Sequence, residues 1–207
     1  MAEHPPTSPP TKGERTRAEI VRKSAELMNR QGFLAAPLSA VIEATGIQKG
    51  GLYRHFDSRE ALAHAAFDHA VGQIRDRFLA AIDGKADACE RLLALLASYD
   101  GDTAELPLPG GCPIMNSAIE SDHADEAMRQ KAREAMSAWH EMLRRIVSAG
   151  LRDRQIRPGV SAQEVATVFI ASIEGAVMLT HLHGDAWPWR AVRRHLASYV
   201  EHELRPQ

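Results

Sequence analysis

No stretch of this chain restricts its fold more than VATVFIASIEGAVMLTHL, Val165 through Leu182. The run approaches the length of a membrane span, yet Glu174 sits in its middle with Thr167, Ser172 and His181 around it. A carboxylate there is costly in lipid and tolerable in a protein interior, so the run reads as a soluble helix, apolar nearly all round. Such a helix needs cover on every side, and the rest of the chain offers it as more helices. Ile20, Val21, Ser24, Leu27 and Met28 recur at three- and four-residue spacing. So do Met128, Ala132, Met136, Trp139, Leu143 and Val147, and the series Val192, Leu196, Val200 and Leu204. Period-two alternation persists nowhere, and Gly32, Gly46, Gly84 and the segment DGDTAELPLPGGCP punctuate the helical stretches.

The spacing therefore predicts an all-α chain with a three-helix helix-turn-helix head and a larger helical body. Residues 1–13, with their four prolines, are expected to form a disordered arm that is neither a signal nor a transit peptide. Residues 14–60 form the head and 61–207 the body, with a helix from about 58 to 82 joining them.

Charge is divided along the chain. The net charge is −2, but residues 12–60 hold nine Lys and Arg against six acids, leaving the rest acidic. A basic front on an acidic body suits a protein that meets a polyanion at one end only. Cys89 and Cys112 form neither a disulfide framework nor a metal spacing, which fits a reducing cytoplasm. No nucleophile–His–acid order, phosphate-cradling glycine loop or metal motif stands out, and His140 and His181 lack a third ligand. The expectation is a protein that is not an enzyme and carries no cofactor or metal.

Between two helical segments lies GIQKGGLYRHFDSRE, Gly46 through Glu60, too polar for a core and too aromatic for an ordinary loop. A short helix, a tight turn at Gly46 and a second short helix make a helix-turn-helix, whose second helix can enter a DNA major groove. Lys49 suits a phosphate or a guanine edge, and Gln48 and Arg54 suit base edges. Tyr53 and His55 suit backbone oxygens, Arg59 adds a cation, and Ser39 on the preceding helix joins the set. Gly50 and Gly51 remove bulk so that the helix backbone can approach the duplex. Leu52 and Phe56 are the expected core anchors.

The series Ile20-Val21, Leu27-Met28, Gly32-Phe33, Gly46-Ile47, Lys49-Gly50, Leu52-Tyr53, His55-Phe56 and Ser58-Arg59-Glu60-Ala61-Leu62 resembles the TetR family of bacterial one-component repressors. GLRDRQIRPGVSAQEVA, before the long apolar helix, resembles the family more loosely. The resemblance implies an all-helical fold, protomers paired through the last two helices, and a ligand in the body that alters operator affinity. Ala36, Gln48 and Gly51 depart from the commonest residues (Thr, Ser, and Thr or Ala), so no operator sequence transfers with the resemblance.

A dimer needs its two heads about 34 Å apart, one turn of duplex. Val165, Val168, Ala171 and Gly175, with Val192, Leu196 and Val200, are expected to form its interface. Cys112, Met115, Asn116, Glu120, Met136, Trp139, His140, Met178 and His181 are the candidate ligand contacts, Asn116 and Glu120 as a polar handle one turn apart. Cys112 at a helix N-terminus raises a second possibility, sensing of oxidants or electrophiles, against its reading as an inert small hydrophobe. The expected partners are an operator duplex, a second copy of the chain and a small-molecule effector of unknown identity, with no membrane. The competing class is a DNA-binding protein with no effector.

Overall fold

The computed structural model describes residues 9–99, 109–121 and 124–206. Among these, nine α-helices and a closing π-helical turn follow one another without a strand: α1 (Lys12–Gln31), α2 (Leu38–Thr45), α3 (Lys49–Leu52), α4 (Arg59–Ile82), α5 (Ala88–Ala97), α6 (Pro113–Glu120), α7 (Glu126–Arg152), α8 (Ala162–His183) and α9 (Trp187–Tyr199), then Val200–Leu204. Helix α1 starts earlier than the expected boundary at residue 14. Thr11 and Glu14 form a reciprocal capping box, so α1 already begins at Lys12; residues 1–8 lie outside the described residues, as do 100–108 of the breaker-rich segment.

The helix ends follow from their local residues. Ser58, Asp87, Asp125 and Ser161 each accept a backbone N–H in the first turn of α4, α5, α7 and α8. Gly46 closes α2 in the left-handed region at φ 71°, with its N–H on the Ile42 carbonyl. A side chain would be strained there, so glycine sets the sharp turn between α2 and α3.

The head packs around Ile20, Val21, Met28, Phe33, Val41, Leu52, Phe56 and Leu62, all buried. Leu52 and Phe56 anchor α3 as expected, and burying each contributes about 1.5–3 kcal/mol. Helix α4 is shared: it packs on α1 in the head and on α5 and α6 in the body. Phe67 on α4 meets Phe33 edge-on with ring centroids 5.7 Å apart, tying the two parts through one core. In the body, Phe78 lies 5.6 Å from Trp139, and Tyr99 lies 4.7 Å from the fully buried Trp189.

Helix α8 is long and apolar enough to cross a membrane by length and composition alone. Its inward face instead buries Val165, Phe169, Ile173, Glu174, Ala176 and Val177 in the core. This corrects part of the expected interface. Val165 is buried within its own protomer, and so are Leu196 and Val200, because the apolar face of α9 and the π-helical turn points inward. Val168, Ala171, Met178, Leu179 and Leu182 remain exposed, Gly175 is partly exposed, and Val192 is half-buried against the core.

Candidate nucleic-acid interface and body cavity

Helix α3 is short: four residues are α-helical, and the turn then continues through Arg54 N–H to Gly51 O and His55 N–H to Leu52 O. With Leu52 and Phe56 turned inward, Gln48, Lys49, Gly50, Tyr53 and Arg54 are exposed, Ser39 is exposed on α2, and His55 is half-buried. Among the described residues neither Lys49 nor Arg54 has an ion-pair partner, so both charges face solvent. Arg22, by contrast, is held by Glu19 and Glu26 on its own helix. Arg17, which the sequence reading overlooked, stacks its guanidinium 4.7 Å from the Phe56 ring centre and adds a cation beside α3.

Two expectations for this surface change. A Cβ on Gly50 would meet nothing, consistent with close approach of another molecule. On Gly51 it would lie 2.8 Å from Ile47 Cγ1, so that glycine serves packing within the head. Arg59 is not a free cation. Its Nε donates to Ala36 O at 3.0 Å, and its Nη2 donates to Leu34 O and Ala36 O, both at 2.6 Å.

The loop that Arg59 grips is also held from the body. Glu120, at the end of α6, accepts from Leu34 N–H at 3.0 Å and Ala35 N–H at 2.7 Å. Gly32, at φ 97°, makes room for this carboxylate: a Cβ there would lie 2.5 Å from Glu120 Oε1. One turn back, Asn116 Nδ2 donates to Gly110 O at 2.9 Å and Asn29 Oδ1 at 3.3 Å, while Asn29 Nδ2 donates to Pro109 O and Gly111 O. Gly110, at φ 112°, sits so close to α1 that a Cβ would be 2.6 Å from Asn29 O. The expected polar handle of Asn116 and Glu120 therefore joins head to body, while Glu120 Oε2 stays buried without a partner among the described residues. The handle's contacts with the head lie 85–87 residues away in sequence, and no local signal announces them.

The body holds a cavity of about 240 Å³ between α4, α6, α7 and α8. Its walls are mostly apolar, with Ile74, Phe78, Ile114, Trp139 and Met142 prominent, and Tyr99, Cys112, Arg75 and Glu174 also line it. Of the expected ligand contacts only Cys112 and Trp139 are here. Met115, Asn116, Met178 and His181 border a separate cleft of about 190 Å³ beside Gly110 and Gly111. Met136 packs on the core, and His140 Nε2 lies 3.1 Å from Thr167 Oγ1 at the α7–α8 surface, so neither lines either space.

Glu174 is the residue that sequence reasoning undervalued; its only signal was a carboxylate inside an apolar run. It is 8 % exposed, and burial pushes its carboxyl up to about 7. Its Oε2 has no hydrogen-bond partner among the described residues. Cys112 faces the same carboxylate, and burial, then the nearby Glu174 charge, drives its thiol well above its ordinary value. An enclosed, protonated thiol is a poor nucleophile, which counts against Cys112 as an electrophile sensor. Among the described residues no group of His, Cys, Asp and Glu could hold a metal.

A helix-turn-helix with an exposed basic α3, mounted on an all-helical body with a cavity, defines a DNA-binding regulator of transcription. Residues 20–66 match the family described as bacterial regulatory proteins, tetR family, and residues 88–196 match the tetracyclin repressor-like C-terminal domain. The chain belongs to the TetR family of transcriptional regulators. It is similar to a TetR regulator structure from Chloroflexus aurantiacus J-10-FL, with TM-score 0.89 and 39 % identity, covering 95 % of this chain and 99 % of that one. A TetR-family structure from Cytophaga hutchinsonii matches with TM-score 0.88 and 29 % identity over 97 % of this chain and 100 % of that one. The transcriptional regulator LmrA of Bacillus subtilis is 27 % identical over 170 residues, 80 % of this chain and 86 % of that protein.

Proposed function

We propose that this regulator is a cytoplasmic repressor that binds a pseudo-palindromic operator as a dimer and is released by a small organic effector bound in the body cavity. The observation that carries the reading is the path of α6. At its start Cys112 and Ile114 line the cavity, and at its end Glu120 holds the loop that feeds α2. Eight residues of helix span about 12 Å. A ligand that displaces the Cys112–Ile114 wall therefore pulls on the backbone amides of Leu34 and Ala35, and so on the orientation of α2 and α3. The ligand shifts the equilibrium by as much as it prefers the displaced state.

Dimerisation is supported by the outward face of α8. Val168, Ala171, Gly175, Met178 and Leu182 recur at alternating three- and four-residue steps, the spacing of a helix–helix seam. Ala171 and Gly175 in the middle let a partner helix approach closely. Two heads would then present Lys49, Tyr53 and Arg54 to successive major grooves, with Gln48 and His55 beside them.

The test is fluorescence anisotropy of the full chain on the duplex upstream of its own gene, centred on any inverted repeat, with and without a metabolite library. Saturation at two chains per site and release by a subset of compounds are expected. Equal affinity for a scrambled duplex at physiological salt removes the operator reading; specific binding that no compound alters removes the effector.

A further inference from the structure

The chemistry of the cavity is uneven. One wall is formed by the rings of Phe78 and Trp139 with Ile74 and Ile114; the deep polar group is Glu174 on α8. That carboxyl is more than nine-tenths buried and, among the described residues, keeps one oxygen without a partner, which is costly unless something satisfies it. The groups facing it are Cys112 from α6 and Tyr99 after α5, both neutral in this setting. Arg75, the one cation on the lining among the described residues, is exposed and paired with Asp76 at 2.8 Å, so it lies at the solvent side of the cavity. The site thus presents an uncompensated acid beside aromatic faces, an arrangement that attracts positive charge twice over: by ion pairing and by the ring quadrupoles.

We propose that the effector cavity is a receptor for a hydrophobic organic cation, an amine or amidinium on an apolar body, whose charged head pairs with Glu174 while its body lies against Phe78 and Trp139. This rests on the reading of the cavity as the effector site and adds the class of compound it takes. Above about pH 7, where Glu174 is ionised, a carboxylic acid is the disfavoured ligand, because its charge would meet that of Glu174 across a medium with little water to screen it. A neutral alcohol satisfies the free oxygen with one hydrogen bond and lacks the charge. The volume, about 240 Å³, holds about eight molecules of the size of water at about 30 Å³ each, which sets the scale at a single ring with a short chain.

Three probes of one shape separate these cases: phenylbutylamine, phenylbutanol and phenylbutyrate, titrated into the full-length protein by calorimetry. The amine is expected to bind about tenfold or more tighter than the alcohol, and the acid to bind weakest, since a charge-assisted hydrogen bond exceeds a neutral one by about that factor. In Glu174→Gln the amine-to-alcohol ratio falls to about one; in Glu174→Asp a preference for the amine persists. Circular dichroism reports whether each variant is folded, and if neither folds, the ranking of the three probes on the unaltered protein decides alone. An alcohol equal to the amine, an acid bound tightest, or no binding by any probe overturns the proposal. The parent reading fails separately: a Glu174-dependent preference for the amine with no release of operator DNA sinks the effector role and leaves the cation site. Release by the alcohol without preference for the amine does the reverse.

Discussion

Replacing Glu174 by glutamine keeps the shape of the side chain and removes its ability to ionise, which gives a direct reading of what burying that carboxyl costs. Folding raises its pKa from 4.5 to about 7. The folded chain therefore keeps a proton that the unfolded chain releases between those values. Stability from this group is complete below pH 4.5, declines as the pH rises, and reaches its lower plateau above about pH 7. At about 1.4 kcal/mol per pKa unit, the full difference is about 3 kcal/mol. Glutamine titrates nowhere in this range, and the cost of its own buried amide is the same at every pH. The quantity to read is thus the change in the stability difference between the two proteins from pH 5 to pH 8. Urea denaturation followed by circular dichroism, at one fixed protein concentration, measures it. Glu174→Gln is expected to gain about 2.5 kcal/mol on the original over that interval, since a little of the difference is already lost at pH 5. Tyr99 and Cys112 titrate above the window, and groups distant from Glu174 cancel in the difference. Parallel curves, with the difference moving by less than about 1 kcal/mol, would mean that the carboxyl is already ionised in the folded state. The account of an uncompensated buried acid would then be wrong.

Lys49→Ala is expected to reduce the salt dependence of operator binding by about one counter-ion, and Tyr53→Phe to weaken binding, both with unchanged urea midpoints; unaltered affinity in both removes α3 from the groove. Glu120→Ala strands the Leu34 and Ala35 amides and is expected to cost about 1–3 kcal/mol. It should also leave effector binding intact while blunting operator release, read by calorimetry and anisotropy on the same preparation. Ala171→Glu puts a charge in the middle of the exposed α8 seam and is expected to yield monomers by analytical ultracentrifugation; an unchanged dimer would move the interface elsewhere.

The legible parts of this molecule were those fixed by neighbours in sequence. Gly46, Leu52 and Phe56 specify a tight turn and an anchored short helix within eleven residues, and the structure has Gly46 in the left-handed region and Leu52 and Phe56 turned inward as the pattern implies. Arg59 and Glu120 were misjudged because their partners, the backbone groups of residues 34–36, are brought to them only by tertiary folding. A helix apolar all round conceals which side meets its own core. Val165 and Val168 look alike in sequence, yet one is 3 % and the other 51 % exposed. Glu174 stood out only as an interruption; that it borders a cavity depends on α4, α6 and α7 meeting α8 around it.

Glu174 and Gly175 are consecutive residues on α8, one lining the cavity and the other partly exposed on the outer face, where the proposed seam runs. In a twofold pair built on that seam, the two binding chambers are separated by little more than two helix diameters of protein. Occupancy of one chamber would then alter the packing felt by its twin, and titration curves should depart from simple hyperbolic saturation. An inducer acting on such a pair would throw both arms together, giving the gene it governs a sharper threshold than either half could set alone.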